Sequence, residues 1–254
     1  MNPESVVARL RAAGCVFAED EARLLGEAAV TAGELEAMVE RRVAGLPLEH
    51  VLGWAEFAGR RFAVEPGVFV PRHRTELLAR LATGLARPGA VVVDLCCGSG
   101  ALGAVVAAAV PVELHATDIE PAAVRCARRN VPGRVYEGDL YAPLPDALRG
   151  RVDVLISNVP YVPSGEVALL PPEAREHEPL VALDGGADGL DVLRRVVAAA
   201  PGWLAPGGHV LFETSERQAD RAVAEAERAG LRARVEGSEG SEGLGATVIV
   251  GRHR

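Results

Sequence analysis

The first fifty or so residues carry apolar positions at helical spacing only. Val6, Val7 and Leu10 share one face, as do Leu24, Leu25 and Ala28, and then Leu35, Met38, Val39 and Val43. Glycines at 14, 33 and 45 punctuate these runs. Helices this short need partners, so residues 1–53 read as a small all-helical bundle. The period then changes. In WAEFAGRRFAVEPGVFV, apolar residues alternate around Gly59 and around Pro66-Gly67, which predicts a β-hairpin linker over 54–74.

From about residue 75, strand and helix patterns alternate. AVVVDLC (90–96) is a continuous apolar run ending in a glycine turn, and an Ala/Val-rich helix follows. VELHATDI (112–119) is the next strand, with a helix from Pro121 to Asn130. RVYEGDL, VDVLISN, HVLFET and ATVIVG read as further strands, separated by helical segments such as LDVLRRVVAAA and RQADRAVAEAERAG. This alternation predicts an α/β fold, a mostly parallel sheet wrapped by helices. Ligands of such sheets sit beyond the carboxyl ends of the strands. EGSEGSEG (236–243) is expected to be a mobile loop.

With 254 residues, 49% of them hydrophobic and 24% charged, the chain has a globular composition and can bury a full core. The net charge of −8 disfavours a broad nucleic-acid footprint, which needs a basic face. The arginine pairs at 41–42, 60–61 and 128–129, with Arg72 and Arg74, read as solvated faces or as a local basic patch. Cys15, Cys96, Cys97 and Cys126 show no C-x-x-C spacing, and the histidines no H-x-x-x-H spacing. Neither a disulfide framework nor a metal site is expected, and a reducing cytoplasm fits. No signal peptide is expected from MNPESVVARLRAAG, and ALGAVVAAAVPV is too short to span a bilayer.

Four strand ends carry candidate chemistry. DLCCGSG (94–100) is either a tight connection or a turn that lets a ligand approach backbone N–H groups at a helix start. No lysine follows, which disfavours a P-loop. Asp118, about twenty residues on, can accept hydrogen bonds from both hydroxyls of a ribose, or can cap the helix at Pro121. In GDLY, Asp139 can meet an adenine amino group beside an apolar wall from Leu140, or simply make a turn. SNVPY (157–161) ends the fourth strand and faces the same crevice. There Asn158 reads either as a clamp or as a strand-end residue satisfying its own turn, and Tyr161 as a site ring or a core-edge aromatic.

At these residues the chain resembles the class I S-adenosylmethionine methyltransferases. Within them it is similar to the HemK/PrmC group, which methylates the side-chain amide nitrogen of a glutamine in bacterial release factors. The group's N-P-P-Y signature stands here as Asn158, Val159, Pro160 and Tyr161. VFVPRHRTELL (68–78), DLCCGSGALG (94–103), ATDIEPAAVRCARRN (116–130), GDLY, REHEPLVALDGGADGL (175–190) and LFETSERQ (211–218) match as well. N-P-P-Y alone is shared with nucleic-acid amine methyltransferases. The DGGADGL stretch and the E-P-x-x-A-L run before it are more particular to HemK relatives.

The resemblance implies a seven-stranded Rossmann-like sheet with an antiparallel last strand over 75–254, behind a helical domain that docks the substrate. It implies S-adenosyl-L-methionine as cofactor and S-adenosyl-L-homocysteine as product. The cofactor would be held by Asp94, Cys96, Cys97, Gly98, Ser99, Gly100, Asp118, Ile119, Asp139, Leu140 and Asn158. The acceptor would be the glutamine of the G-G-Q loop of a class I peptide chain release factor. Asn158, Val159, Pro160, Tyr161, Phe69 and Arg72 would bind it, in a cytoplasmic monomer without direct nucleic-acid or membrane contact. The Asn158 oxygen and the Val159 carbonyl would each accept one amide N–H, Tyr161 would lie along the planar amide, and Pro160 would stiffen the turn. Glu213 is placed for catalysis by its strand end but looks structural in the family, EAREHE (173–178) reads as a solvated face that in relatives adjoins the active-site loop, and Cys97 reads as buried rather than as a redox thiol. His73 is the histidine expected near the site.

Four residues depart from the family pattern. Val159 replaces the first proline of the signature, and His73 and Arg74 replace a proline and an acid. Cys96 stands where the first glycine of the cofactor turn is usual, so it is expected to fit without a positive φ or with a shifted loop. These departures imply a divergent paralogue. They leave two rivals: an exocyclic-amine methyltransferase acting on RNA or DNA, and a catalytically silent cofactor-binding protein.

Overall fold

Four helices come first in the computed structural model, which describes residues 2–238 and 245–254: α1 (Pro3–Ala12), α2 (Ala18–Ala28), α3 (Ala32–Val43) and α4 (Leu48–Leu52). Asn2 caps α1 through the Ser5 N–H at 2.8 Å, and Thr31 with Glu34 forms a capping box on α3. Val6, Leu10, Leu25, Met38 and Val39 build the small core between them. Two expected core positions fall outside it. Ala28 and Val43 are exposed, and Arg42 takes the buried place instead. Its guanidinium holds both oxygens of buried Glu21, at 2.6 and 3.1 Å, and reaches Glu173 at 2.6 Å, in a short helix far along the chain.

A short hairpin follows, β1 (Trp54–Phe57) and β2 (Arg60–Ala63). Its two-residue loop has positive φ at Ala58 (51°) and Gly59 (69°), the twist a tight hairpin requires. The Pro66-Gly67 stretch makes a turn, with Val68 N–H on the Glu65 carbonyl, but no second pair of strands.

The remaining chain forms α5 (Glu76–Leu85), β3 (Val91–Leu95), α6 (Ala101–Ala109), β4 (Glu113–Asp118), α7 (Pro121–Asn130), β5 (Arg134–Glu137) and β6 (Val152–Ser157). Then come α8 (Pro172–His177), α9 (Asp191–Ala199), β7 (Leu204–Thr214), α10 (Ala219–Arg228), β8 (Arg232–Ser238) and β9 (Ala246–Arg252). The seven-stranded sheet has the order β5-β4-β3-β6-β7-β9-β8, and β9 runs antiparallel to both neighbours. One face carries Leu78, Val92, Val106, Ile156 and Leu211 under α5 and α6. The other carries Leu95, Leu155, Leu193, Phe212 and Ala222 under α9 and α10. The strand order steps outward from β3 to β5 and returns beside β3 with β6. That reversal opens a crevice at the carboxyl ends of β3 and β6.

β8 is the strand the sequence pattern does not reveal. It is an edge strand whose one large apolar side chain, Val235, is 47% exposed, so the alternation reads as polar loop. Residues 236–238 of the expected mobile loop therefore pair in the sheet, and 239–243 lie outside the described residues.

Arg42→Met is expected to lower stability by about 3–5 kcal/mol, because Glu21 is left buried and unpaired. Urea unfolding of Arg42→Met and of Arg42→Met/Glu21→Leu checks this, with the double variant recovering most of the loss.

Candidate functional site

The crevice holds a cavity of about 1070 Å³, open to solvent. Asp94, Cys96, Cys97, Gly98 and Ser99 line it from the β3–α6 turn, Asp118 and Ile119 from the end of β4, and Asp139 and Leu140 from the segment after β5. Asn158 and Pro160 close it from β6, and Phe69 from the linker. Of the expected cofactor residues only Gly100 is not in the lining. It turns the chain at φ 78°, and a Cβ there would lie 2.4 Å from Val131 Cγ2.

Cys96 corrects the expectation for its position. It adopts φ 54°, in the left-handed region that glycine favours, so the turn keeps its shape at a cost of roughly 1–2 kcal/mol. Burial pushes its thiol pKa up to about 12, helped by the Asp118 carboxylate, and burial holds Cys97 well above the ordinary thiol value.

Two carboxylates brace the turn. Asp94 Oδ2 accepts the Gly103 N–H at 2.9 Å in the first turn of α6, and its Oδ1 is buried with no partner. Burial raises this carboxyl to about 7, with Asp118 adding to the shift. Asp118 accepts the Gly98 N–H at 2.8 Å and the Glu120 N–H at 2.9 Å, and burial raises its pKa too. It therefore ties two turns together rather than capping α7, whose N-cap is Glu120. Asp139 pairs with Arg195 of α9, a residue of the lining that the sequence reading missed. Only its place on the charged face of α9 marked it.

A second cavity, about 840 Å³, adjoins the first. Val159, Tyr161 and Arg72 line it, together with Arg74 and Glu173. Phe69, Asn158, Pro160 and Ala182 line both cavities and so form the wall between them. In that wall the Asn158 amide donates to Thr75 Oγ1 at 3.5 Å, while its Oδ1 is buried and unpartnered. An oriented acceptor thus stands at the junction. Val159 is 2% exposed, and its side chain packs in the core, leaving any contact with a ligand to its backbone.

The glycine-rich loop explains its own sequence. Gly185 N–H donates to the Val162 carbonyl at 2.8 Å, and Val162 N–H to the Leu183 carbonyl at 3.1 Å. A Cβ on Gly185 would sit 2.6 Å from the Pro160 carbonyl oxygen, and one on Gly189 would sit 2.3 Å from that of Tyr161. Gln218 completes the seat by donating to the Tyr161 carbonyl at 3.0 Å. Backbone therefore lies directly on backbone behind the Asn-Val-Pro-Tyr turn.

Three outlying positions are placed as follows. EAREHE is not simply a solvated face. Glu178 is buried and accepts the Val70 N–H at 3.0 Å and Arg72 Nη2 at 2.6 Å, and Glu173 meets Arg42. His73 is 80% exposed, bonds Glu76 at 3.0 Å and lines neither cavity. Glu213 is buried at the end of β7 and joins Tyr161 and Arg74. Among the described residues no helix is long and apolar enough to cross a membrane.

Because the Asp94 carboxyl titrates higher in the folded than in the unfolded chain, its neutral form stabilises the fold. That contribution is full below about pH 4 and is lost as pH rises through about 7. Asp94→Asn is expected to flatten the fall in unfolding midpoint between pH 5 and pH 8, read by urea titration.

The Methyltransferase small domain family matches residues 59–170. A release factor glutamine methyltransferase of Geobacter sulfurreducens is 39% identical over 200 residues, 76% of this chain and 69% of that protein. A 4-amino-L-phenylalanine/4-methylamino-L-phenylalanine methyltransferase of Streptomyces pristinaespiralis is 39% identical over 191 residues, 71% of this chain and 65% of that one. Among solved structures, the E. cuniculi Mtq2-Trm112 complex, responsible for methylation of the eRF1 translation termination factor, is similar with a TM-score of 0.55. It is 20% identical and covers 74% of this chain and 99% of that one, a likeness of fold. The sequence match along most of a relative's length places the chain plainly: it belongs to the release factor glutamine methyltransferase family, on a class I methyltransferase fold.

Proposed function

We propose that this protein transfers a methyl group from S-adenosyl-L-methionine to the side-chain amide nitrogen of the G-G-Q glutamine of a class I peptide chain release factor. The observation that carries the reading is Asn158, set in the wall between two cavities with its Oδ1 buried and unpartnered. A primary amide entering from the second cavity offers that oxygen an N–H.

The donor fits the first cavity. Asp118 keeps unused lone pairs for a ribose, and Ile119, Leu140 and Val192 supply apolar walls for a base. When bound, S-adenosyl-L-methionine supplies an electrophilic methyl on a sulfonium that leaves as a neutral thioether. The protein's task is then placement, because an amide lone pair is delocalised and weakly nucleophilic. Asn158 Oδ1 and the Val159 carbonyl would accept the two amide hydrogens and hold the nitrogen about 3–3.5 Å from the methyl carbon. Tyr161 would support the planar amide from one side. Pro160 restrains the backbone of the turn.

The helical layer would dock the rest of the release factor, and the enzyme would act as a cytoplasmic monomer. Its net charge of −8 weighs against a nucleic-acid acceptor. Against the silent binder, the positive φ of Cys96 preserves the turn, and Val159 loses only a side-chain restraint where the chemistry uses a carbonyl.

With radiolabelled S-adenosyl-L-methionine and the organism's own release factors, label is expected on the G-G-Q glutamine. Asn158→Ala is expected to lower kcat about 100- to 1000-fold, a loss scaled to that of one preorganised site hydrogen bond. Label on RNA in place of release factor would sink the reading. Asp118→Ala is expected to weaken cofactor binding by about 1.5–3 kcal/mol, roughly 10- to 100-fold in Kd, measured by calorimetry.

A further inference from the structure

Tyr161 is held at both ends. Its carbonyl is fixed by Gln218 at 3.0 Å. Its hydroxyl donates to Glu213 Oε1 at 2.9 Å and accepts from Arg74 Nη2 at 2.6 Å. Arg74 Nε also donates to Glu213 Oε1, at 3.0 Å, so the three groups close a ring of hydrogen bonds. The ring draws on three separate places: the stretch before α5, the end of β7 and the turn after β6.

Burial makes this arrangement informative. The Glu213 side chain is only 1% exposed, whereas that of Arg74 is 39% exposed and lines the second cavity with Tyr161. A carboxylate taken out of water is costly unless paired, and an apolar residue there would serve packing as well or better. What the pair adds is direction. A phenol held at its oxygen by two partners cannot swing about χ1, so the ring keeps its place, whereas a free one has several rotamers. The hydroxyl donates to Glu213 and accepts from Arg74, a match of donor and acceptor that a phenylalanine cannot make.

We propose that Arg74 and Glu213 are positioning residues of the methyl transfer, acting through the Tyr161 hydroxyl to fix the ring against which the acceptor amide lies. The assignment rests on the acceptor site proposed above. The pair touches Tyr161 rather than the reacting atoms, so its loss lowers kcat and leaves cofactor Kd unchanged.

Two measurements test it. In turnover with the release factor, Arg74→Met and Tyr161→Phe each lower kcat about 10- to 100-fold, the scale set by a misplaced reactant. The double variant is no slower than Tyr161→Phe alone, and Glu213→Gln recovers most of what Glu213→Ala loses. A purely structural role predicts lower melting temperatures with unchanged kcat per folded molecule, and that result overturns the proposal, as do losses that multiply in the double variant. The second measurement needs no acceptor. The chain has three tyrosines, at 136, 141 and 161, so fluorine NMR of 3-fluorotyrosine-labelled protein gives three assignable signals, that of Tyr161 found by its absence in Tyr161→Phe. Arg74→Met shifts the Tyr161 signal and spares the other two. An unmoved Tyr161 signal overturns the proposal even if release factors are methylated. A shifted one with no labelled release factor leaves the clamp standing and removes the glutamine reading.

Discussion

Everything at the site depends on two stretches of backbone lying in direct contact. Residues 160–164 rest on residues 183–191, and no atom larger than hydrogen fits on Gly185 or Gly189 between them. The contact converts a loop after β6 into something as fixed as a strand, down to a parallel bridge between Val162 and Asp184. Because Asn158 and Tyr161 belong to that loop, their direction is set by main-chain hydrogen bonds, which have few alternatives, rather than by side-chain packing. The sheet supplies the location and the glycine loop supplies the aim.

Around this seat the charges follow one rule. Among the buried glutamates and aspartates, Glu21, Asp94, Glu178 and Glu213 are each answered by a guanidinium or a backbone N–H. Three of the answering groups are arginines from distant segments, Arg42, Arg72 and Arg74. Each joins parts of the chain that the sheet does not: helix to helix, linker to loop, linker to β7. Through these pairs Arg72, Arg74 and Glu173 are held in the lining of the second cavity. A cavity built this way adds polar directionality to a lining that is mostly apolar.

Much of this was legible in the sequence and some was not, for identifiable reasons. The parallel strands were readable because apolar runs such as VVVDL and VDVLIS are buried on both faces. The site positions fell at the ends of those runs, so Asp94, Asp118, Asp139 and Asn158 could be named from spacing and the family likeness, and the fold brings them to one cavity. The edge strand β8 escaped because half of it faces water. Arg195, Glu173 and the Arg74–Glu213 pair escaped because long-range ion pairing leaves no local period. The left-handed φ of Cys96 escaped because nothing local in the sequence encodes it. The fold forces the left-handed conformation on it.

That same turn places two thiols, those of Cys96 and Cys97, in the lining of the cavity proposed for an alkylating cofactor. Thiolates are the strongest nucleophiles among protein side chains, and one beside a sulfonium methyl would compete with any amide. Burial and neighbouring carboxylates keep both protonated. Burial pushes the Cys96 thiol up to about 12, so the neutral thiol predominates at neutral pH. The burial that shapes this turn thereby also keeps its two thiols in the neutral, less nucleophilic form.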